Sequence, residues 1–246
     1  MSYKIGRTIP RSETDESVSG MLANFGTATI AESQDKTGIV DIDIRPIQQG
    51  ISIAGPAVTV KCFDADNLMV HAALELCKPG DVLVIRSMTS TKHGYVGELI
   101  ANSCTKRGLA GIVIDGGVRD TWAIRNLHFP VWAKYISVAG TSKSRPGWVN
   151  VPIEFGGVNV SPGDFVAADD DGIVILPRRC VKEVLSAAEK RLEKEKKTKS
   201  KIADGELSVD FYGLKTVISD LNIEYVENGH STEDVHIVDN SRKLGS

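Results

Sequence analysis

Two short stretches carry residue types that could do chemistry. "GIVIDGGVRD", Gly111 to Asp120, runs an apolar stretch, Ile112 to Ile114, into an acid, two glycines and a valine, then sets Arg119 beside Asp120. A fixed carboxylate can hold a hard divalent cation such as magnesium or manganese. A neighbouring guanidinium can hold a carboxylate or a developing enolate oxygen. Adjacent residues on a helix do not face one another, so a mutual salt bridge is not the obvious purpose of the pair. The structural alternative is a local Arg-Asp pair capping a helix. The second stretch, "HGYVGELI", His93 to Ile100, opens a helix at a glycine. The first amides of a helix lack intrahelical partners and sit at the positive end of its dipole. The N–H groups of Glu98, Leu99 and Ile100 would make an anion site suited to a carboxylate, and Gly97 lets a ligand approach the backbone closely. The plain alternative is a glycine that only ends a loop.

These residues need elements that bring them to one place. Residues 12–34 read as helical, with Gly20 and Gly26 as weak points, and 45–47 and 55–63 read as strands. "DNLMVHAALELCKPGD", Asp66 to Asp81, has an Asp-Asn start and a Pro-Gly stop, which punctuate a helix. Strands follow at 81–87 and 110–115, with a helix at 97–108 between them. A helical crossover of that length implies parallel neighbours. The second strand is expected to end at Asp115, with Gly116-Gly117 forming a tight turn. Ligand sites in open α/β sheets lie beyond strand carboxyl ends, so Gly97, Arg119 and Asp120 should emerge at the same edge. A short helix at 120–126 and a strand in "FPVWAKYIS" come next. After Thr141 the pattern becomes strand-rich, with turn signals at Gly156-Gly157, Pro162-Gly163 and Asp171-Gly172. Residues 180–203 read as a charged helix.

Composition narrows the function classes. The 246 residues carry a net charge of −3 and are 41% hydrophobic and 25% charged, ordinary for a globular chain. Nothing global points to nucleic acid or an anionic membrane. Cys62, Cys77, Cys104 and Cys180 form no CxxC pair and read as reduced, mostly buried thiols. With no apolar leader and no membrane-length apolar run, the expected location is the cytoplasm. Asp169 to Asp171 read as a hairpin turn rather than a metal site. "KRLEKEKKTKSK" alternates charge sign and reads as a solvated helix face rather than a nucleic-acid patch. Asp66 and Asn67 most simply cap a helix, and His71 within it reads as a packed or surface histidine. Lys143 and Arg145 stand in a loop where they could meet a second carboxylate of a substrate.

The segments "GDVLVI", "GYVGELIA", "RGLAGIVIDGGVRD", "FPVWAK", "VNVPI", "GDFVAADDDGIVILP" and "DGELSVDFY" occur in one order. In this the chain resembles the 4-hydroxy-4-methyl-2-oxoglutarate / 4-carboxy-4-hydroxy-2-oxoadipate aldolases. These are class II pyruvate aldolases related to the regulator of ribonuclease E activity. The resemblance covers residues 15–213. It implies an α/β fold: a layered α-β-β-α sandwich with a parallel βαβ core, antiparallel hairpins and a C-terminal helix. It implies one domain over 1–213, including an intersubunit helix at 180–203, with 214–246 as a polar extension.

The resemblance also implies roles. The amides of Gly97, Glu98, Leu99 and Ile100 bind a pyruvyl carboxylate, Arg119 contacts substrate, and Asp120 anchors a divalent cation, Mg2+ or Mn2+, largely through water. Glu195, counted back from "GELSVDFY", comes from a neighbouring subunit to complete the site, with Glu193 close by. Glu98 serves in proton relay. The implied reaction is retro-aldol cleavage of a 4-hydroxy-2-oxo dicarboxylate or tricarboxylate to pyruvate and a second 2-oxo acid, with oxaloacetate decarboxylation as a side activity. The expected base is a water held by the metal or a carboxylate. The expected partners are a small 2-oxo acid and further copies of the chain, as a homotrimer or dimer of trimers. The alternative is a non-catalytic protein-binding regulator of a ribonuclease.

Overall fold

A computed structural model describes residues 2–89, 91–223 and 225. The chain divides into two compact units, residues 1–194 and 195–246. In the first, strand β1 (Lys4–Ile5) precedes helices α1 (Asp15–Phe25) and α2 (Thr27–Ser33). The helix expected over 12–34 breaks at Gly26, where φ is +77°. Next come β2 (Arg45–Pro46), β3 (Ile53–Cys62), α3 (Leu68–Leu74) and β4 (Val82–Ser87). They are followed by β5 (Gly94–Val96), α4 (Glu98–Lys106), β6 (Gly111–Val118), α5 (Thr121–Asn126) and β7 (Val131–Ile136). Short strands β8 (Trp148–Val149), β9 (Ile153–Phe155), β10 (Val158–Val160), β11 (Phe165–Ala168) and β12 (Ile173–Leu176) lead into helix α6 (Val181–Ala203).

Strands β3, β4, β6 and β7 run parallel in that order, as the crossover reading requires for β4 and β6. The long strand β3 serves two sheets. Its residues Ala57–Cys62 pair with β4, while Ile53–Pro56 pair antiparallel with β11, which pairs with β12. Side-chain alternation then builds the layers. Leu83, Ile85, Ile112 and Ile114 face α3 and α4 with Val70, Ala73, Ile100 and Cys104. Their neighbours Val82, Val84, Val113 and Trp132 face the antiparallel layer with Phe155, Val166, Ile173 and Ile175. The far side of β11 and β12 presents Phe165, Val174 and Leu176 to Leu22, Ile30, Val181 and Val184. Burying each Val, Leu, Ile or Phe side chain among these contributes about 1.5–3 kcal/mol, and the order is helix, sheet, sheet, helix. The three cysteines in these layers, Cys62, Cys77 and Cys104, are free, and burial pushes each thiol up to about 12.

The expected turn at Gly116-Gly117 is not a turn. Strand β6 continues through both glycines to Val118, and neither has a positive φ. Between Ile114↔Ala133 and Gly117↔Tyr135 the strand β6 spends one residue more than β7, a bulge. The glycines are there for close approach. A Cβ on Gly117 would lie 2.5 Å from His93 O, because β5 takes over from β4 as the neighbour of β6 at this point. The left-handed residue is Asp120 instead, at φ 54°, ψ 35°.

The second unit contains the remainder of α6, α7 (Ser208–Phe211) and α8 (Leu214–Asp220). Phe211 and Tyr212 meet edge-on with centroids 4.5 Å apart, and Lys215 pairs with Asp210. The expected division at 213 falls inside this unit. Helix α8 begins at Leu214, where the polar extension is expected to start, and residues 224 and 226–246 lie outside the described residues.

Candidate active site

Strands β5 and β6 are parallel, so both carboxyl ends reach one edge of the sheet. The Arg119 N–H donates to Val96 O at 2.9 Å, which ties the two exits together. Gly97 follows β5 in extended conformation and starts α4. The Glu98 N–H donates to Asp120 Oδ2 at 3.3 Å, and Arg119 Nε lies 3.6 Å from the same oxygen. The carboxylate therefore occupies the first amide of α4. The amides of Leu99 and Ile100, in the same first turn, have no intrahelical acceptor. Arg119 and Asp120 are both half-exposed, and they open on a cavity of about 130 Å3. The expected set of Gly97, Glu98, Leu99, Ile100, Arg119 and Asp120 lines it together. Glu195 lies on the part of α6 that belongs to the second unit.

Two other segments reach the same cavity: α3 with Asn67 and His71, and the loop after β7 with Thr141 and Lys143. Asp66 joins them. Its Oδ2 accepts from Ser142 Oγ and Ser144 N at 2.7 Å and from Arg145 N at 3.0 Å, and its Oδ1 accepts from Leu68 N at 2.9 Å. So Asp66 holds the first amide of α3 and clamps the loop that carries Lys143, while Asn67, at the N-cap position, makes no side-chain cap. Burial pushes its carboxyl up, but these hydrogen bonds outweigh it and hold the pKa at about 2, below the ordinary 3.8. A depressed carboxylate stabilises the fold above its unfolded value, and that contribution is lost as pH falls from near 4 through about 2. Asp66→Asn is expected to lower stability at pH 7 by about 2 kcal/mol and to flatten the acid limb of a pH series of thermal melts. An unchanged acid limb would count against the clamp.

His71, read from the sequence as a packed or surface histidine, is partly buried. It borders the cavity, its Nε2 is buried without a partner, and burial first, then Lys143, push its imidazole below the usual range. Asn67 and His71 follow the carboxyl end of β3, so the rule that nominated Gly97 and Arg119 applies to them as well. Lys143 reaches the cavity, whereas Arg145 stacks over Phe63 at 4.3 Å. The three acids at 169–171 sit at the β11–β12 hairpin. Asp169 accepts from Thr27 N and Oγ1 at 2.7 and 2.6 Å, and Asp170 Oδ2 accepts from Gly50 N at 2.9 Å.

A cation at this site would rest on few protein ligands. Among the described residues no group of three or more His, Cys, Asp or Glu is placed to hold one. Asp120 nevertheless fits a hydrated hard cation. Its Oδ2 is engaged, its Oδ1 carries no hydrogen bond among the described residues, and Glu98 lines the same cavity. Magnesium commonly binds through one or two carboxylates and keeps several waters.

The layered α/β fold thus brings helix amides, a guanidinium and a carboxylate together at strand carboxyl ends, an arrangement able to hold a small anion. The chain belongs to the RraA-like family, described as Aldolase/RraA, whose model matches residues 27–175. A protein of Halalkalibacterium halodurans named "Putative 4-hydroxy-4-methyl-2-oxoglutarate aldolase" is 31% identical over 191 residues, which cover 78% of this chain and 91% of the relative. A protein of the same name from Ectopseudomonas mendocina is 36% identical over 127 residues, 52% of this chain and 78% of the relative. The structure of Streptomyces coelicolor RraAS2, described as an unusual member of the RNase ES inhibitor RraA family, superimposes with a TM-score of 0.68 at 29% identity, covering 76% of this chain and 98% of that one. Among the described residues no helix is long and apolar enough to cross a membrane.

Proposed function

We propose that the chain is a cytoplasmic, divalent-metal-dependent pyruvate aldolase. Its substrate is a 4-hydroxy-2-oxo dicarboxylate or tricarboxylate, 4-hydroxy-4-methyl-2-oxoglutarate or 4-carboxy-4-hydroxy-2-oxoadipate. Oxaloacetate decarboxylation, which makes the same enolate, is the side activity. The observation that carries the reading is the convergence of Arg119, Asp120 and the first amides of α4 on one small cavity. The names of the relatives point to the same chemistry.

The Leu99 and Ile100 amides hold the pyruvyl carboxylate at the positive end of α4. Arg119 faces the keto oxygen and stabilises the negative charge that grows there when the C3–C4 bond breaks. Asp120 orients Arg119 and the Glu98 amide and is the residue that holds Mg2+ or Mn2+. When bound, the metal supplies Lewis-acid stabilisation of the enolate. Lys143 meets the carboxylate at the far end of the substrate, and Glu98 serves in proton relay. Glu195 of a neighbouring copy completes the site in a trimer or dimer of trimers. Exposed Leu99, Trp122 and Val138, on the elements that build the site, support an assembly that covers them. The catalytic domain is read as 1–213, with 214–246 as its polar extension.

The test is pyruvate release from the hydroxy-oxo acid before and after EDTA, with Mg2+ or Mn2+ added back. Activity is expected to vanish with the metal and to return with it. Turnover that survives complete metal removal would overturn the class II assignment. An absence of turnover combined with capture of a ribonuclease would favour the regulator alternative that the RraAS2 likeness keeps in view.

A further inference from the structure

Asn67 reads from the sequence as a cap, yet its side chain makes no cap hydrogen bond to α3. It is 5% exposed, and its Nδ2 donates to Tyr95 O at 2.9 Å. A carbonyl only accepts, so the amide is held in one orientation, with Oδ1 buried and without a hydrogen-bond partner. An unpaired buried acceptor costs stability, so packing alone does not account for an amide here. The bond closes the open side of β5. Successive carbonyls of a strand point to opposite sides. Val96 O faces β6 and accepts from Arg119 N at 2.9 Å, so Tyr95 O faces away from β6. Among the described residues β5 pairs with β6 alone, so no strand reaches Tyr95 O. Asn67 stands where that strand would be. Two residues beyond Tyr95, Gly97 starts α4, whose first turn carries the Leu99 and Ile100 amides. The Asn67 backbone N–H donates to Ser142 O at 3.0 Å, one residue before Lys143.

We infer that Asn67 is a positioning residue for the carboxylate site: its amide replaces the missing neighbour of β5 and so fixes the direction in which the Leu99 and Ile100 amides leave the strand. The inference rests on the aldolase reading above. Asn67 Nδ2 acts through the backbone and touches no substrate. Strand β5 is three residues long, and its register with β6 shifts between Gly94 and Val96, so that pairing alone holds it weakly. The Tyr95 phenol accepts from Ala65 N at 2.9 Å and pairs with Thr91 Oγ1 at 2.8 Å. The phenol fixes the side chain of Tyr95, and Asn67 fixes its peptide. Without Nδ2 the Tyr95 carbonyl is buried and unpaired, and the peptide gains by turning toward another donor. That turn swings Gly97 and tilts the amides behind it. A carboxylate held by those amides is present in substrate, transition state and product alike. Loosening it weakens binding and leaves the chemical step in place.

Wild type, Asn67→Ala and Asn67→Asp are compared with Mg2+ for pyruvate affinity by calorimetry and for kcat and KM on 4-hydroxy-4-methyl-2-oxoglutarate, with thermal melts alongside. In Asn67→Ala, KM and the pyruvate Kd are expected to rise about tenfold, with kcat within about threefold of wild type. Asn67→Asp keeps the shape and loses the donor when ionised. Burial raises the new carboxyl's pKa, and its protonated form donates again. Its pyruvate affinity is therefore expected to recover toward wild type as pH is lowered from about 8 to about 6, a recovery that Asn67→Ala does not show. Besides Tyr95, the charged and titratable groups around this position are Asp66, His71, Glu98, Arg119, Asp120 and Lys143. They are common to all three proteins, so the difference between the variants reads the new carboxyl. Three results overturn the inference and leave the aldolase reading standing: an Asn67→Ala affinity within about threefold of wild type, a loss confined to kcat, or an Asn67→Asp affinity that follows Asn67→Ala at every pH. If Asn67→Ala does not fold, the pH course of Asn67→Asp against wild type decides. If neither variant folds, Asn67 serves the fold and the inference falls. A wild-type protein that neither binds nor releases pyruvate overturns the aldolase reading and the inference with it.

Discussion

Arg119→Ala is expected to lower pyruvate release from a 4-hydroxy-2-oxo acid by roughly 10²–10³-fold, equivalent to about 3–4 kcal/mol of transition-state stabilisation. The guanidinium is placed by its own backbone, whose N–H is held by Val96 O at 2.9 Å, and that bond survives the substitution. The side chain is half-exposed and pairs with Asp120 at the surface, so the fold loses little. The drop should appear mainly in kcat, because the charge Arg119 opposes grows only as the carbon–carbon bond breaks. Arg119→Lys should recover part of the rate, since it restores a cation but not the fork. Steady-state kinetics on the three proteins, with thermal melts alongside, check this. An alanine variant as fast as wild type would remove Arg119 from the chemistry.

Gly97→Ala should cost about as much through geometry alone. At φ −138°, ψ −171° the backbone is extended and tolerates any residue, so no torsional strain is expected. The obstacle is space: a Cβ would lie 2.6 Å from Asp120 Oδ2 and 3.2 Å from Arg119 Nε. Both side chains must move away from the first amides of α4. A displacement on the order of 1 Å at a reacting centre can cost about 10²-fold in rate. Because the groups that shift are half-exposed side chains, stability should stay within about 1 kcal/mol of wild type. Activity measured beside a thermal melt distinguishes this from general damage. A large fall in Tm, or full activity, would mean that the close approach at Gly97 does not organise the site.

Much of the scaffold was legible because its signals are local. The two-residue alternation of Val82 to Ile85 and of Ile112 to Ile114 reads as strands buried on both faces, and the structure divides those residues between two cores. The glycine punctuation at Gly26 and Gly156-Gly157 marks real breaks, each glycine with a positive φ. The double glycine at 116–117 was misread for a physical reason. A turn and a bulge both call for glycine, and only the presence of β5 across from Gly117 shows that close approach, not a reversal, is needed. Strand β5 itself, three residues long, is too short for a periodic signal.

The sequence by itself determined the parallel core, the residues at its carboxyl edge, and a pairing of guanidinium, carboxylate and helix amides that implies anion chemistry. Those properties depend on neighbours a few positions away, where backbone period and side-chain type decide. The tertiary structure alone decided that Asp120 would occupy the Glu98 amide 22 residues earlier. It alone decided that Asp66 would clamp a loop 76 to 79 residues distant, and that Asn67 and His71 would share a cavity with Arg119 and Lys143. Such contacts follow from strand order and register, and packing sets both through the sum of many weak burials that no local pattern encodes.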